Sequence, residues 1–537
     1  MTWNFGDILD AVPQAISPAA PAFIHGRRVV AWGETTRRSN NLARAMRAQG
    51  AQPGDKVAFY MRNRLEYGEA LAACFKARLT HVNINYRYRP EEVFYIFDDS
   101  DARVVIYGSE FRDTILQLSA RLSKVVAFIE ISEGGVPLPL AFSYEALATE
   151  GDGAPLGIAR SPDDLLFIYT GGTTGMPKGV MWRHEDLREA QLDAVRRLGP
   201  APDDLAAHLD LLRASGPGSR TMPACPMMHG TGLITTIGCM MNAGCVITLE
   251  SPSFDAHELL SVVSDRKVQS IAIVGDAFAK PMLKALDEEP GAYDTSSLVS
   301  VVSSGVMWSR EVKAGLLRHI PQVVLMDSFG ASEALGFGSS AMTKDGEVGT
   351  ARFQIGPRCQ VFDEDGEPVP PGSGKPGIIA MGGPIPLGYY NDPEKTAKTF
   401  RTIAGQRYSI PGDWCVVEAD GALTLLGRGS ACINTAGEKV YPEEVEEALK
   451  THAAIEDALV VGVPDAKWGQ AVTAVVVVAG GVAFDEEEVR RHVRASLAGY
   501  KTPKRILVAQ IPLRAANGKA DYKAVTEFAR RDLGLAS

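Results

Sequence analysis

Segments that predict buried β-strands alternate with segments that predict α-helices, and this alternation limits the possible folds more than any other feature. It occupies the first third of the chain and returns later, with strands at 57–61, 82–84 and 104–107, helices at 65–76 and 91–98, and further strands and helices between 270 and 326. Strands joined by helix-length crossovers predict parallel sheets with helices on both faces. We therefore expect an α/β protein with two doubly wound subdomains of αβαβα type.

The pattern changes near residue 427, where short strands at 458–463 and 471–478 accompany helices at 442–450 and 486–497. This predicts a small α+β domain at the C-terminal end. The expected boundaries are residues 1–428 for the large domain and 429–537 for the small one.

Two other segments carry local signals. Thr35 or Thr36 is a candidate N-cap for a helix through Gln49, which Gly50 would end. Residues 201–220 are rich in Asp, Ala, Gly and Ser and interrupt the alternation. They predict either a surface loop or a partly helical lid.

Charge and cysteine usage exclude several classes of protein. Lys and Arg total 55 against 65 Asp and Glu, a net charge of −10. This balance argues against a protein that binds a nucleic-acid backbone. No apolar run reaches the roughly 18–20 residues of a membrane span, and no signal peptide is expected. The seven cysteines are scattered without CxxC spacing, which indicates reduced thiols and a cytoplasmic location.

The most specific segment is 169–179, Tyr-Thr-Gly-Gly-Thr-Thr-Gly-Met-Pro-Lys-Gly. Its glycines allow close approach of the backbone to an anion, its threonines add hydroxyl donors, and Lys178 adds a positive charge. The segment is not a Walker A loop, because Gly179 follows the lysine where Ser or Thr is required. A flexible turn between a strand and a helix is the alternative interpretation.

This segment resembles the phosphate loop of adenylate-forming enzymes, the superfamily of acyl-CoA synthetases, luciferases and nonribosomal peptide adenylation domains. Other motifs of the superfamily follow in order: 329–333 (Phe-Gly-Ala-Ser-Glu), 388–391 (Gly-Tyr-Tyr-Asn), 412–414 (Gly-Asp-Trp), 427–428 (Gly-Arg), 442–446 (Pro-Glu-Glu-Val-Glu) and 517–519 (Asn-Gly-Lys). Within the superfamily, the variant string at 429–435 is similar to that of bacterial ligases for steroid side-chain and long lipidic acids. The resemblance implies a β-rich subdomain in the large domain and a mobile small domain.

The resemblance implies a reaction with ATP, CoA and Mg²⁺ as cofactors and a small carboxylic acid as substrate. The site residues are implied in three groups. Thr170, Gly171, Gly172, Thr173, Thr174 and Lys178 would hold the phosphates. Ser304, Gly305, Val306, Asp327, Ser328 and Phe329 would line the adenine slot, and Gly330 and Ser332 are implied as further cofactor-binding residues. Asp413 and Arg428 would bind the ribose, with Arg428 able to contact phosphate instead.

The resemblance implies four catalytic residues: Glu333, Lys519, Thr170 and His229. Glu333 would bind Mg²⁺. Lys519 would bridge the substrate carboxylate and the α-phosphate during adenylation, and the small domain would then rotate so that Gly437 lines a thiol tunnel. Lys439 and the cations of 501–505 either meet CoA phosphates or are solvated surface charges. The hinge position is Ser430, where the superfamily usually has Asp or Lys.

The acid pocket is expected around 222–232, with His229 near the carboxylate and five methionines within 20 residues forming an adaptable apolar wall or ordinary core. No Asp or Glu lies within 222–249 to pair with an α-amino group. The leading hypothesis is an ATP-dependent CoA ligase for a lipophilic monocarboxylic acid, which is a fatty, steroid side-chain or arylalkanoic acid. The alternatives are an adenylating enzyme with another acceptor and a catalytically silent sensor of nucleotide or acyl-CoA; a homodimer is left open.

Overall fold

The computed structural model describes residues 3–132, 134–170, 176–197, 199–306, 308–346, 352–428, 433–435, 438–465, 468–497, 499–515 and 520–535. The chain divides into two compact units. Unit 1 comprises 1–350, 382–402 and 407–409. Unit 2 comprises 351–381, 403–406 and 410–537.

Unit 1 contains two mainly parallel sheets. The first has the strand order β2-β1-β11-β10-β12-β13-β14-β15. Its strands are β1 (Pro21–His25), β2 (Arg28–Ala31), β10 (Arg220–Pro223), β11 (Cys245–Thr248), β12 (Ser270–Ile273), β13 (Ser300–Ser304), β14 (Val324–Ala331) and β15 (Ala334–Met342). The second has the order β19-β9-β8-β4-β3-β5-β6-β7. Its strands are β3 (Lys56–Tyr60), β4 (Thr80–Asn83), β5 (Ala102–Gly108), β6 (Ala127–Ile131), β7 (Ala141–Ser143), β8 (Leu165–Thr170), β9 (Lys178–Arg183) and β19 (Gly388–Tyr389).

The helices of unit 1 connect and cover these strands. They are α1 (Phe5–Ala11), α2 (Trp32–Ala48), α3 (Leu65–Lys76), α4 (Pro90–Asp99), α5 (Arg112–Ser119), α6 (Tyr144–Thr149), α7 (His184–Arg196), α8 (Leu205–Ser215), α9 (Gly230–Met241), α10 (Ala256–Arg266), α11 (Asp276–Glu288), α12 (Arg310–His319) and α13 (Pro393–Thr399). This arrangement confirms the predicted α/β class with two sheet-based subdomains.

Helix α3 is buried along its whole length and packs against strands of both sheets. Its charged side chains are paired, as buried charges must be. Arg38 of α2 donates two hydrogen bonds to Glu69, from Nε at 2.7 Å and from Nη2 at 3.1 Å. Lys76 Nζ lies 3.3 Å from an oxygen of Asp10. The helix therefore joins the two sheets by packing, and its buried ion pairs attach it to α1 and α2.

Unit 2 has two parts. Its first strands are β16 (Arg352–Ile355), β17 (Cys359–Phe362), β18 (Pro376–Gly382), β22 (Asp413–Val417) and β23 (Ala422–Arg428). β20 (Phe400–Ile403) and β21 (Gln406–Ser409), like β18, have residues in both units. The C-terminal part is a five-stranded sheet of β24 (Ile433–Thr435), β25 (Glu438–Val440), β26 (Ile455–Asp465), β27 (Gly469–Val478) and β28 (Arg505–Val508), with α14 (Pro442–Lys450), α15 (Glu486–Ser496) and α16 (Tyr522–Asp532).

Several local expectations need correction. Helix α2 begins at Trp32 without a side-chain cap, so neither Thr35 nor Thr36 is its N-cap. Strand β14 runs to Ala331, because β15 pairs with it, so it continues past residue 326, where the predicted strands end, and Asp327, Ser328 and Phe329 lie on it. The segment 201–220 is partly helical, since Asp204 caps α8 by accepting a hydrogen bond from Ala207 N. Within the described part of the chain, no helix combines the length and apolar character needed to cross a bilayer.

Candidate active site

The predicted phosphate loop is bracketed by an antiparallel hairpin. Thr170 ends β8 and Lys178 begins β9, and the two residues are Cα partners across the hairpin. The segment therefore connects two strands, whereas the flexible-turn interpretation placed it between a strand and a helix. Gly171, Gly172, Thr173 and Thr174 lie outside the described residues.

Lys178, at the loop end of this hairpin, forms an ion pair. Its Nζ lies 3.0 Å from Oδ2 of Asp392. Asp392 is also the N-cap of α13, where its side chain accepts a hydrogen bond from Lys395 N at 2.9 Å. The hydrogen bond to Asp392 raises the pKa of Lys178, so the ammonium group stays charged and available to an anion.

Glu333 lies in the turn between β14 and β15 and is 9% exposed. The hydroxyl of Tyr389 donates a 2.7 Å hydrogen bond to its Oε1. Tyr389 is on β19, where it is the Cα partner of Val180 on β9. One tyrosine thus connects the carboxylate to the phosphate hairpin, a role that the sequence did not reveal.

The backbone around Glu333 is fixed by two further contacts. Ser409 Oγ donates a 2.7 Å hydrogen bond to the Glu333 carbonyl. Trp182 Nε1 of β9 donates one of 2.8 Å to the Ser332 carbonyl. Trp182 therefore attaches the acidic turn to the hairpin, and Ser409 attaches the same turn to β21.

Mg²⁺ fits the donor set of this turn. Oε1 of Glu333 is engaged by Tyr389, whereas Oε2 has no hydrogen-bond partner within the described ranges. Those ranges contain no cluster of three or more His, Cys, Asp or Glu that could hold a metal. Mg²⁺ bound beside phosphates needs only one or two carboxylates, because phosphate oxygens and waters complete its shell.

The predicted adenine slot forms where β13 and β14 run side by side. Ser304 is the Cα partner of Ser328, and Ser303 that of Asp327. Gly305 follows with φ +89°, a conformation that favours glycine. Phe329 is 8% exposed, and its ring centroid lies 5.3 Å from that of Phe337. The structure therefore brings the residues 303–306 and 327–329 together at the carboxyl end of β13, beside β14.

The remaining predicted nucleotide and thiol residues belong to unit 2 or lie outside the described residues. Asp413 is buried at the start of β22, and its Cα partner across the sheet is Arg428 of β23. The Arg428 and Lys439 side chains, Gly437 and Lys519 lie outside the described part. Lys501 is engaged by Glu444 at 2.6 Å, and Arg505 by Asp465 at 2.8 Å.

The predicted acyl segment leads into α9, with His229 at the N-cap position. The five methionines at 222, 227, 228, 240 and 241 are all buried. Asn63 holds this segment from the second sheet, since its amide donates to the carbonyls of Pro223 and Cys225 at 3.0 Å. It also accepts a 2.7 Å hydrogen bond from Met227 N.

Behind Asn63 lies a cavity of about 540 Å³ in unit 1, at the carboxyl ends of parallel strands from both sheets. Its lining is rich in arginine: Arg62, Arg64, Arg87 and Arg112 line it together with His25, against Glu110 and Glu250. Tyr86 lines it too, with the guanidinium of Arg62 5.0 Å from its ring centroid. Sequence reasoning missed this cavity, because its arginines come from three separate segments of the chain.

Comparisons with known proteins agree with this geometry. The family described as AMP-binding enzyme matches residues 13–390, and the AMP-binding enzyme C-terminal domain matches residues 444–519. The 3-oxocholest-4-en-26-oate–CoA ligase of Rhodococcus rhodochrous is 40% identical, covering 97% of this chain and 95% of its own. A medium/long-chain-fatty-acid–CoA/3-oxocholest-4-en-26-oate–CoA ligase of Mycobacterium marinum is 39% identical, covering 97% and 94%.

A solved structure extends the match to the fold. ATP-bound MatB from Rhodopseudomonas palustris is 25% identical with a TM-score of 0.83, covering 99% of this chain and all of that one. The family match spans well over half of the chain, and both relatives align along nearly its whole length. This chain therefore belongs to the AMP-binding enzyme family.

Proposed function

We propose that this protein is an ATP-dependent ligase that joins a lipophilic monocarboxylic acid to CoA. The observation that carries the proposal is that Tyr389 binds the Glu333 carboxylate and pairs with β9, the strand that begins with Lys178. This arrangement supplies a cation and a metal-binding carboxylate where a nucleotide tail would bind. The names of relatives at 39–40% identity, which are CoA ligases, support the same reaction.

In the first half-reaction, a carboxylate oxygen of the acid attacks the α-phosphorus of ATP. The bond to the bridging oxygen breaks, pyrophosphate leaves and an acyl-adenylate forms. Lys178 would leave or share Asp392 to bind the departing phosphates, and Lys519 would offset charge at the reacting carboxylate. Mg²⁺ at Glu333 would supply further positive charge for the phosphate oxygens.

In the second half-reaction, the CoA thiolate attacks the acyl carbon and AMP leaves with the bonding electron pair. Gly437 would line the path of the thiol. The arginine-lined cavity is suited to the phosphates of CoA, because guanidinium groups bind phosphate with two parallel hydrogen bonds. Its wall includes Asn63, which holds the segment leading to His229.

The nature of the acid follows from the acyl segment. Its buried methionines provide an adaptable apolar surface, and no carboxylate within 222–249 would pair with an amino group. The two relatives are named for acids with steroid or long alkyl bodies. We therefore propose a fatty or steroid side-chain acid as the substrate.

The test measures pyrophosphate and AMP release with ATP and acids graded by length and ring content, in the presence of CoA, dephospho-CoA or no thiol. We expect acyl-CoA with CoA, and a KM at least about tenfold higher for dephospho-CoA, which lacks one phosphate contact. Adenylate formation without any thioester would favour another acceptor. Absence of pyrophosphate release with every acid would favour the silent sensor and overturn the proposal.

A further inference from the structure

Lys313 is a buried lysine that none of the preceding roles uses. It lies on α12 and is 6% exposed. Its ammonium group forms an ion pair with Oδ2 of Asp327 and lies 5.5 Å from the ring centroid of Trp308. Lysine is rarely buried unless it is paired, so the position of this ammonium group depends on Asp327.

Asp327 lies on the strand that forms the proposed adenine slot. Residues 325, 327 and 329 alternate with less buried neighbours along β14, so Asp327 shares a face with Phe329. Only Oδ2 of Asp327 is engaged by Lys313. Its other oxygen, Oδ1, has no hydrogen-bond partner within the described ranges, and the side chain is 12% exposed.

The charge of Asp327 depends on its surroundings. Burial raises the pKa of Asp327, the nearby Asp276 raises it further, and Lys313 lowers it. Asp276 is a second carboxylate, and it accepts hydrogen bonds from the backbone N–H and the hydroxyl of Ser309. It therefore cannot supply the positive charge that Lys313 brings to Asp327. An ionised carboxylate only accepts hydrogen bonds, whereas a protonated one also donates.

We propose that Lys313 is a positioning residue for nucleotide selection, which keeps Asp327 ionised and its Oδ1 available to the exocyclic amino group of adenine. Guanine presents a carbonyl at the corresponding position, and a carboxylate repels it. The inference rests on the proposed function, because it requires that the base of ATP occupies the slot beside Phe329.

The experiment measures equilibrium binding of ATP and GTP to the full-length protein by calorimetry, together with KM and kcat for each nucleotide. In Lys313→Met we expect ATP affinity to fall by about tenfold to a hundredfold, as for loss of a charge-assisted hydrogen bond. The ratio of ATP to GTP affinity should fall with it, while kcat at saturating ATP changes little. Lys313→Arg should restore most of the selectivity, because it keeps the charge.

Lys280→Met is the matched control. Lys280 also lies near this region, 3.8 Å from Oδ2 of Asp276, but it is exposed and makes no contact with Asp327. Its ATP to GTP ratio should equal that of the wild type. If Lys313→Met does not fold, the double variant Lys313→Met/Asp327→Asn removes both buried charges, and it should fold with reduced ATP selectivity.

Two results separate the inference from the proposed function. A wild-type protein that binds no ATP and releases no pyrophosphate contradicts the function itself. A wild type that binds ATP, with an unchanged ATP to GTP ratio in Lys313→Met or the double variant, overturns only the role of Lys313. A lower melting temperature without any change in that ratio would mean a purely structural ion pair, and would overturn it as well.

Discussion

Glu333 is the single residue in unit 1 whose charge the proposed reaction needs most. Glu333→Gln keeps an oxygen that can accept the hydrogen bond from Tyr389, but it removes the negative charge that binds Mg²⁺. We expect pyrophosphate release to fall by at least about a hundredfold, the size seen when transition-state charge stabilisation is lost. The measurement is the rate across a Mg²⁺ series.

Tyr389→Phe is the control for this change, because it removes the 2.7 Å hydrogen bond and leaves the carboxylate charged. Its loss should be about tenfold or less, the usual cost of one hydrogen bond. If Glu333→Gln retained the wild-type dependence on Mg²⁺, the metal would bind elsewhere.

His184 is a buried residue for which a pH dependence of stability is expected. It is fully buried against Phe5 and Phe75, with ring centroids 4.7 and 4.8 Å away. Burial lowers the pKa of His184 to about 4, whereas an unfolded histidine has a pKa of about 6.5. Between these values the unfolded chain binds a proton that the folded chain does not. The free energy of unfolding therefore decreases as the pH is lowered, by up to about 1.4 kcal/mol per pH unit.

His184→Phe preserves the aromatic packing and removes the titrating group. The drop in melting temperature between pH 7.5 and 5.0 should therefore be smaller in the variant than in the wild type, although His81 contributes in the same direction in both. Thermal scans at the two pH values decide the matter. Equal drops would show that His184 takes up its proton in the folded state.

At the scale of elements, α9 positions the acyl segment through the close approach of Gly232 to the preceding loop. A Cβ on Gly232 would lie 2.5 Å from the carbonyl oxygen of Pro226, whereas one on Gly238 would meet only the flexible Gln191 side chain at 3.6 Å. Gly232→Ala should displace the helix and raise KM for the acid. Gly238→Ala lies further along the same helix. It should leave stability unchanged or raise it, since alanine favours the helical conformation more than glycine does. Equal KM values in both variants would contradict the role of α9.

The elements that sequence predicted best are those with local signals. The helices at 65–76 and 442–450 have the predicted bounds, because an apolar pattern and flanking residues determine them. The hairpin of β8 and β9 was missed, since its antiparallel pairing is visible only in three dimensions. The pairing of β1 with β11 joins residues more than 200 positions apart, and no local pattern indicates it.

The same distinction applies to the candidate site. The motifs around Thr170, Glu333 and Asp327 are contiguous strings, and a sequence can be searched for them. Their partners Tyr389 and Lys313 come from other elements, and only the fold brings them into contact. The arginines of the cavity likewise follow three different strands, and each alone is indistinguishable from a surface charge.

At the scale of the whole molecule, the proposed alternation between half-reactions requires a C-terminal domain that folds by itself. Two apolar cores of unit 2 consist only of residues between Ile433 and Leu535. A domain with its own closed core is expected to fold alone. A break at the predicted boundary removes the packing of α14 on β23, where Glu443 lies close to Gly427, but it leaves both cores whole.

We therefore expect the fragment 429–537 to be folded, with β and helical circular dichroism and a cooperative thermal transition. Val472→Asp, at a fully buried position of β27, should abolish that transition, because it places an unpaired carboxylate in the core. Val482→Asp, at a position 44% exposed, should leave it almost unchanged. A fragment without a cooperative transition would mean that the packing of α14 on β23 is required for folding. The boundary at 428 would then be wrong, and a rotating domain would have to include β23.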